Sequence, residues 1–169
     1  MYGNLIDAQV YWDARGYSGT PTKAGLVIGS AYVDQLGWRI ASTGVPVSRF
    51  PGTPTTTTQE NEWPRTDATD VYGREFASDE VPACVEWATY EAAYYEQTNP
   101  GSLNVVVRTD QVISREKIDV IEFEYRDQGT ASRMLGLSPS TPVIPAANAA
   151  LAPVLTGGAN PYGITGVVA

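Results

Sequence analysis

Apolar and polar positions along the chain mark several separate elements. Residues 4–15 read as a helix: Asn4 caps it, Asp7 sits in its first turn, and Gly16 stops it. Ile6, Val10 and Ala14 fall four apart and make an apolar stripe. Residues 21–36 read as a second helix, capped by Thr20 with Pro21 in the first helical position. Its expected apolar face is Ala24, Val27, Ile28, Ala31 and Gln35. Gly25 and Gly29 weaken that helix but allow a neighbour to approach closely. Residues 79–97 give the strongest helical pattern, with Ser78 as cap and Val81, Val85, Ala88, Ala92 and Tyr95 on one face. Asn99, Pro100 and Gly101 end it.

Between the second and third helices the periodicity is lost. Residues 41–62 carry a Thr run and three prolines, which exclude a helix or a central strand. Such a loop reads either as a partner surface or as disorder. From 103 to 125 the period changes to two: Ile121, Phe123 and Tyr125 alternate with Glu122 and Glu124. This predicts a β-hairpin turning near 114–117, which needs a helix face or other copies to lean on. A short helix is expected over 145–155, opened by Pro145 and limited by Pro153. Residues 157–169 are Gly-rich and read as a tail that only a partner would order. The expected fold is mainly α (α+β): a small bundle of about four helices with a hairpin arm, extended loops and a C-terminal tail. One domain is expected over 1–156, its helical core at 4–40 and 78–98.

Composition narrows the chemistry. The chain has 169 residues and is 43% apolar, with one Cys, two Lys and no His. Without His the commonest general base and zinc ligand are missing, and Cys84 has no His to activate it. Acidic pairs occur at Asp67 with Asp70, Asp79 with Glu80, and Glu122 with Glu124, but none has the spacing of a calcium loop. The run 52–58 lacks the Gly-Lys-Ser/Thr ending of a phosphate loop. We therefore expect no enzyme, no cofactor and no metal site. No apolar run reaches the roughly 18 residues of a membrane span, and the N-terminal residues carry no signal-peptide pattern. The expected setting is a cytoplasm, without a membrane partner.

The net charge of −8 opposes nonspecific nucleic-acid binding and suits a surface past which DNA slides. It equally suits simple solubility. The aromatic load of 79–97, Trp87, Tyr90, Tyr94 and Tyr95, reads as core plus subunit packing in preference to a base-stacking platform. In the preceding Trp63-Pro64-Arg65, Pro64 extends Trp63 so that the indole can bury while Arg65 stays free to meet a carboxylate or a ring. The structural anchors expected here are Trp63, Pro64, Arg65 and Pro82. The subunit or partner contacts expected are Trp87, Tyr90, Tyr94, Phe123, Tyr125, Leu151 and Leu155.

A set of short motifs runs through the chain in order. They are Ala8, Tyr11 and Ala14-Arg15-Gly16; Ala31, Tyr32 and Trp38-Arg39; Trp63-Pro64-Arg65-Thr66 with Asp70 and Gly73; and Val81-Pro82 before an Ala-rich helix. Arg115-Glu116-Lys117-Ile118, Glu122-Phe123-Glu124-Tyr125 and the segment Leu151 to Leu155 follow. Over about 4–156 this pattern resembles the tailed-bacteriophage head–tail connector (adaptor, head-completion) family, whose members are often labelled DnaT-like single-stranded-DNA-binding proteins. The loop 41–62 looks longer than in that family, and the tail after Leu155 looks additional. The resemblance implies a structural virion protein of the neck, assembled in the cytoplasm of a bacterial host. About twelve copies would form a homo-oligomeric ring beneath the portal protein. Double-stranded DNA would pass through its lumen, and tail, tail-terminator or nozzle proteins would dock on it. The alternative is the one in the label, a DnaT-like replication accessory that binds single-stranded DNA. That role needs a basic, aromatic groove.

Overall fold

The computed structural model describes residues 1–41, 43–103 and 142–156, together with the backbone of 115–118 and 121–124. Among the described residues there are four α-helices and three two-stranded antiparallel ribbons, a helix-rich α+β fold as expected.

Helix α1 spans Leu5–Arg15. The Asn4 carboxamide accepts from the backbone N–H groups of Ile6 and Asp7, and Gly16 ends the helix at φ 70°. Its buried residues are Ala8 and Trp12, so the stripe of Ile6, Val10 and Ala14 faces outward, contrary to expectation. Trp12 decides the orientation. Its indole N–H reaches the carbonyl of Tyr90 at 3.0 Å and its ring meets Tyr94 edge-on at 5.3 Å, contacts that the aliphatic stripe could not make.

Helix α2 spans Lys23–Leu36 and is capped by Thr22, two residues later than expected, through a 3.0 Å bond from the Gly25 N–H to Thr22 Oγ1. Its buried face is Leu26, Gly29, Ser30, Tyr32, Val33 and Leu36. Ala24, Val27, Ala31 and Gln35 of the expected face are exposed, and Ile28 is half-buried. The close-packing role expected of the glycines holds. A Cβ on Gly29 would lie 2.6 Å from the Thr89 carbonyl oxygen, so the backbones of α2 and α3 meet there.

Helix α3 spans Ala83–Thr98 and lies at the centre. It begins after Pro82, not at 79 after Ser78. A residue before proline disfavours the helical region, which keeps Val81 out of the helix. Val85, Ala88 and Ala92 are buried as expected, and Thr89, Tyr90, Glu91, Ala93 and Glu96 are buried as well. The helix is therefore covered on several sides: by α2, by α1 and by α4 (Pro145–Leu151). Pro145 opens α4, and a 3-10 turn over Ala152–Val154 follows it at Pro153. Tyr32 ties α2 to the start of α4, donating to the Pro142 carbonyl and accepting from the Ile144 N–H, both at 3.1 Å.

Two apolar clusters result. One joins Tyr32, Val33, Leu36, Phe50, Trp63, Val85, Ala88, Ala92, Leu151 and Val154. The other joins Ala8, Trp12, Leu26, Tyr90 and Ala93 at the α1 end. The loop 41–62 holds only short edge structure. Strand β1 (Trp38–Ile40) pairs with β2 (Pro46–Ser48), and β3 (Thr53–Pro54) pairs with β4 (Arg65–Thr66). Strands β5 (Arg115–Ile118) and β6 (Ile121–Glu124) pair with Ile118 opposite Ile121. Residues 115–117, expected at the turn, are therefore part of a strand. Residues 104–114 of the expected hairpin, Tyr125 and the tail 157–169 lie outside the described residues.

Candidate interaction surfaces

The Trp63 corner is an internal anchor. Its indole is buried and stands edge-on to Phe50 (5.8 Å, 72°) and to Phe76 (5.7 Å, 90°). The Trp63–Pro64 peptide is cis, and Pro64 is half-buried. The Trp63 N–H donates to the Tyr2 hydroxyl at 3.0 Å, and that hydroxyl in turn donates to Asp34. Burial raises the Tyr2 and Asp34 pKa values together.

Arg65 is not the free cation expected from the sequence. It is 1% exposed and fully occupied. It donates to the carbonyls of Pro51 (2.8 Å), Gly52 (2.8 Å) and Glu62 (3.2 Å), and to the Glu62 carboxylate (2.7 Å). Its guanidinium also lies 5.9 Å from the Phe50 ring, so the expected carboxylate and ring partners exist, but within its own chain. The turn at Asp70 is fastened in the same way. The Asp70 carboxylate accepts from the N–H groups of Tyr72 and Arg74 (2.9 Å each) and from the Arg74 side chain. Burial works against its charge, yet these bonds hold its pKa below the usual carboxylate value.

A second constellation lies between α1 and α3. Glu91 is buried, and its carboxylate receives the hydroxyls of Tyr11 (2.9 Å) and Tyr17 (3.0 Å) and the Arg15 guanidinium (2.9 Å). Tyr17 stacks on Tyr94 at 4.0 Å, Tyr11 stacks on Trp87 at 6.4 Å, and Arg15 lies 4.2 Å from the Tyr11 ring centre. Burial pushes the Tyr11 pKa up to about 12. Both Glu91 carboxylate oxygens are engaged from the α1 side, so the group ties α1 to α3. Sequence reasoning missed Glu91; the available sign was a carboxylate in the middle of the aromatic stripe 87–95.

The expected contact residues divide. Trp87 is exposed and Tyr94 half-buried on the α1–α3 face, so both remain open to a partner. Tyr90 and Leu151 are buried in the two clusters and are corrected to core residues, because the helices of the same chain already cover them. Leu155 packs half-buried on the core. Phe123 is placed on β6 opposite Glu116, by backbone alone. Pro82 is buried at the α3 cap.

Little reactive chemistry is assembled. Cys84 is half-buried, and burial pushes its thiol up to about 11. Among the described residues no three His, Cys, Asp or Glu side chains converge as metal ligands, and no helix is long and apolar enough to cross a membrane. The grooves are open. One of about 460 Å³ is lined by the 53–62 loop, and one of about 390 Å³ is lined by Leu5, Ile6, Gln9, Val10, Thr20 and Pro21.

The family model described as "Putative DnaT-like ssDNA binding protein" matches residues 1–167, and the protein belongs to that family. The match runs past Leu155, so the segment after it is within the family pattern and not an addition. No curated protein and no solved structure matches the chain.

Proposed function

We propose that this protein is a non-catalytic, architectural subunit of the head–tail connector kind, built into a ring through which DNA passes. The observation that carries the reading is the charge of the helical body. Residues 1–103 hold thirteen Asp and Glu against six Lys and Arg, and 142–156 hold neither. Arg15, Arg65 and Arg74 are each already paired with a carboxylate. Trp12, Trp63 and Tyr90 are turned inward, while Trp38, Tyr72 and Trp87 are exposed. The acidic balance of this body repels phosphate, which suits a wall that DNA slides past. The connector resemblance of the motifs supports the same role, with the portal and tail proteins as partners.

The second reading is a single-stranded-DNA-binding accessory. The family's description speaks for it more directly than for the connector. On this chain its cations would come from residues 104–141, where five Lys and Arg stand against six acids.

One comparison separates the two. Purified protein is mixed with a tailed-phage portal protein and imaged, and labelled single-stranded DNA is titrated between about 50 and 200 mM salt. The connector reading expects stacked rings and little DNA retention. A monomer that ignores the portal and holds DNA with a steep salt dependence overturns it in favour of the second reading.

A further inference from the structure

We propose that two exposed patches at opposite ends of α2 are the two halves of one contact between successive copies of this chain. The inference rests on the assembly reading above and adds the surfaces that make it.

The first patch is the outer face of α1. Leu5, Ile6 and Val10 form an apolar groove with Pro21, just before α2 begins, and Ile6 and Val10 are 76% and 63% exposed. On α1 its charged neighbours Asp7 and Asp13 meet neutral amides, and Lys23 begins α2 two residues after Pro21. Asp7 accepts from the Asn4 side chain at 2.7 Å, and Asp13 accepts from Gln9 at 2.8 Å. This is the stripe that sequence periodicity marks for burial and that the described residues leave uncovered.

The second patch is the β1–β2 ribbon that leaves the other end of α2. Trp38, Ile40 and Val47 are exposed on it. The ribbon is two strands wide, so both of its faces belong to one protrusion. Arg39 shares one face of the ribbon with Val47; Trp38 and Ile40 share the other, and Arg49 follows the end of β2. Among the described residues neither arginine has a carboxylate within salt-bridge distance, and the Arg39 Nε is buried without an acceptor. Arg49 donates to the Leu36 carbonyl at 3.0 Å. Burial and the neighbouring Arg39 both lower its pKa, which an incoming carboxylate would reverse. The described residues leave these two guanidinium groups without an acid, and a carboxylate from a second copy would supply the counter-charge.

Each patch matches the other. One is aliphatic with acids at its edge, and the other is apolar with arginines at its edge. Either patch against itself would place like charges together, which is repulsive. The 14 residues of α2 separate them by about 20 Å, so one copy cannot close the contact on itself. Between copies the contact is head-to-tail, and such contacts close into rings or run on as filaments.

The test uses two single variants of the full chain, Ile6→Glu and Ile40→Glu. Both positions are exposed, so folding is expected to persist, and circular dichroism with melting checks it. Light scattering should show higher oligomers for the wild-type chain. Each variant alone should be a monomer, its self-affinity weakened by about thirtyfold or more. An equimolar mixture should give a one-to-one dimer, because each variant keeps the patch that the other lost. A monomeric wild-type chain, unchanged assembly of either variant, or a mixture that stays monomeric overturns the inference. Oligomers that ignore the portal would sink the connector reading and leave this contact standing. Rings that seat on the portal and survive both substitutions would do the reverse.

Discussion

Trp63 and Arg65 share one corner, yet they hold it by different forces. The indole fills the space between Phe50 and Phe76, while the guanidinium gathers the carbonyls of the loop around itself. Trp63→Ala should therefore cost about 3–5 kcal/mol in denaturant unfolding, the usual range for emptying a buried Trp site. A loss below about 1 kcal/mol would mean that the corner anchors nothing. Cys84 gives a second prediction at this scale. With its thiol pushed up to about 11, the native protein should react slowly with alkylating reagents at neutral pH and faster as pH rises. Rapid modification of the folded chain at pH 7 would contradict the burial. Trp63 was legible in the sequence because Pro64 and the neighbouring aromatics act locally. Glu91 was not, because its tyrosine partners stand 80 and 74 residues away, and no local pattern announces them.

Helix existence was legible throughout, while the buried face was legible in α3 but not in α1 or α2. Asn4, Gly16, Pro82 and Pro145 punctuate the chain by backbone chemistry, so the sequence shows the elements even where a boundary moves by a few residues. The buried face is a competition between stripes, decided by tertiary contact. In α1 the Ala8–Trp12 pair wins over Ile6 and Val10. In α2 the face that carries Gly29 wins, because only it lets α3 come close. Gly29→Val tests that account directly. Its side chain would run into the Thr89 carbonyl and push the helices apart, at about 1–3 kcal/mol of stability. A melting temperature equal to the wild-type value would show that the helices do not need the close approach. The Asp70 turn adds a pH dependence. Its folded pKa lies below the ordinary carboxylate value, so its contribution is present above pH of about 4 and fades as pH falls through the folded pKa. Asp70→Asn should flatten that part of the acid-unfolding curve, and an unchanged curve would dismiss the contribution.

At the scale of the molecule, the C-terminal segment is the closing piece of a core begun at Tyr2. Ile144, Ala147, Leu151 and Val154 are all buried against α2 and α3. At about 1.5–3 kcal/mol for each large apolar side chain, their loss approaches the stability of a whole small domain. A chain ended after residue 141 should lose its cooperative melting transition, measured by circular dichroism. A sharp transition would show that 1–141 folds without the strap. The same strap was legible only as a short helix, because nothing near Pro145 states that its partner is Tyr32, more than a hundred residues earlier.

The four tryptophans fall into two optical classes. Trp12 and Trp63 are shielded inside the two apolar clusters, while Trp38 on the ribbon and Trp87 beside α1 meet solvent. The chain thus carries an unlabelled gauge of its own state. Red-shifted emission that iodide quenches would come from Trp38 and Trp87, and blue-shifted, protected emission from the other pair. Unfolding would move the second class and leave the first almost unchanged. Assembly through the ribbon would do the opposite, drawing Trp38 toward the blue, so the two processes could be told apart in one cuvette.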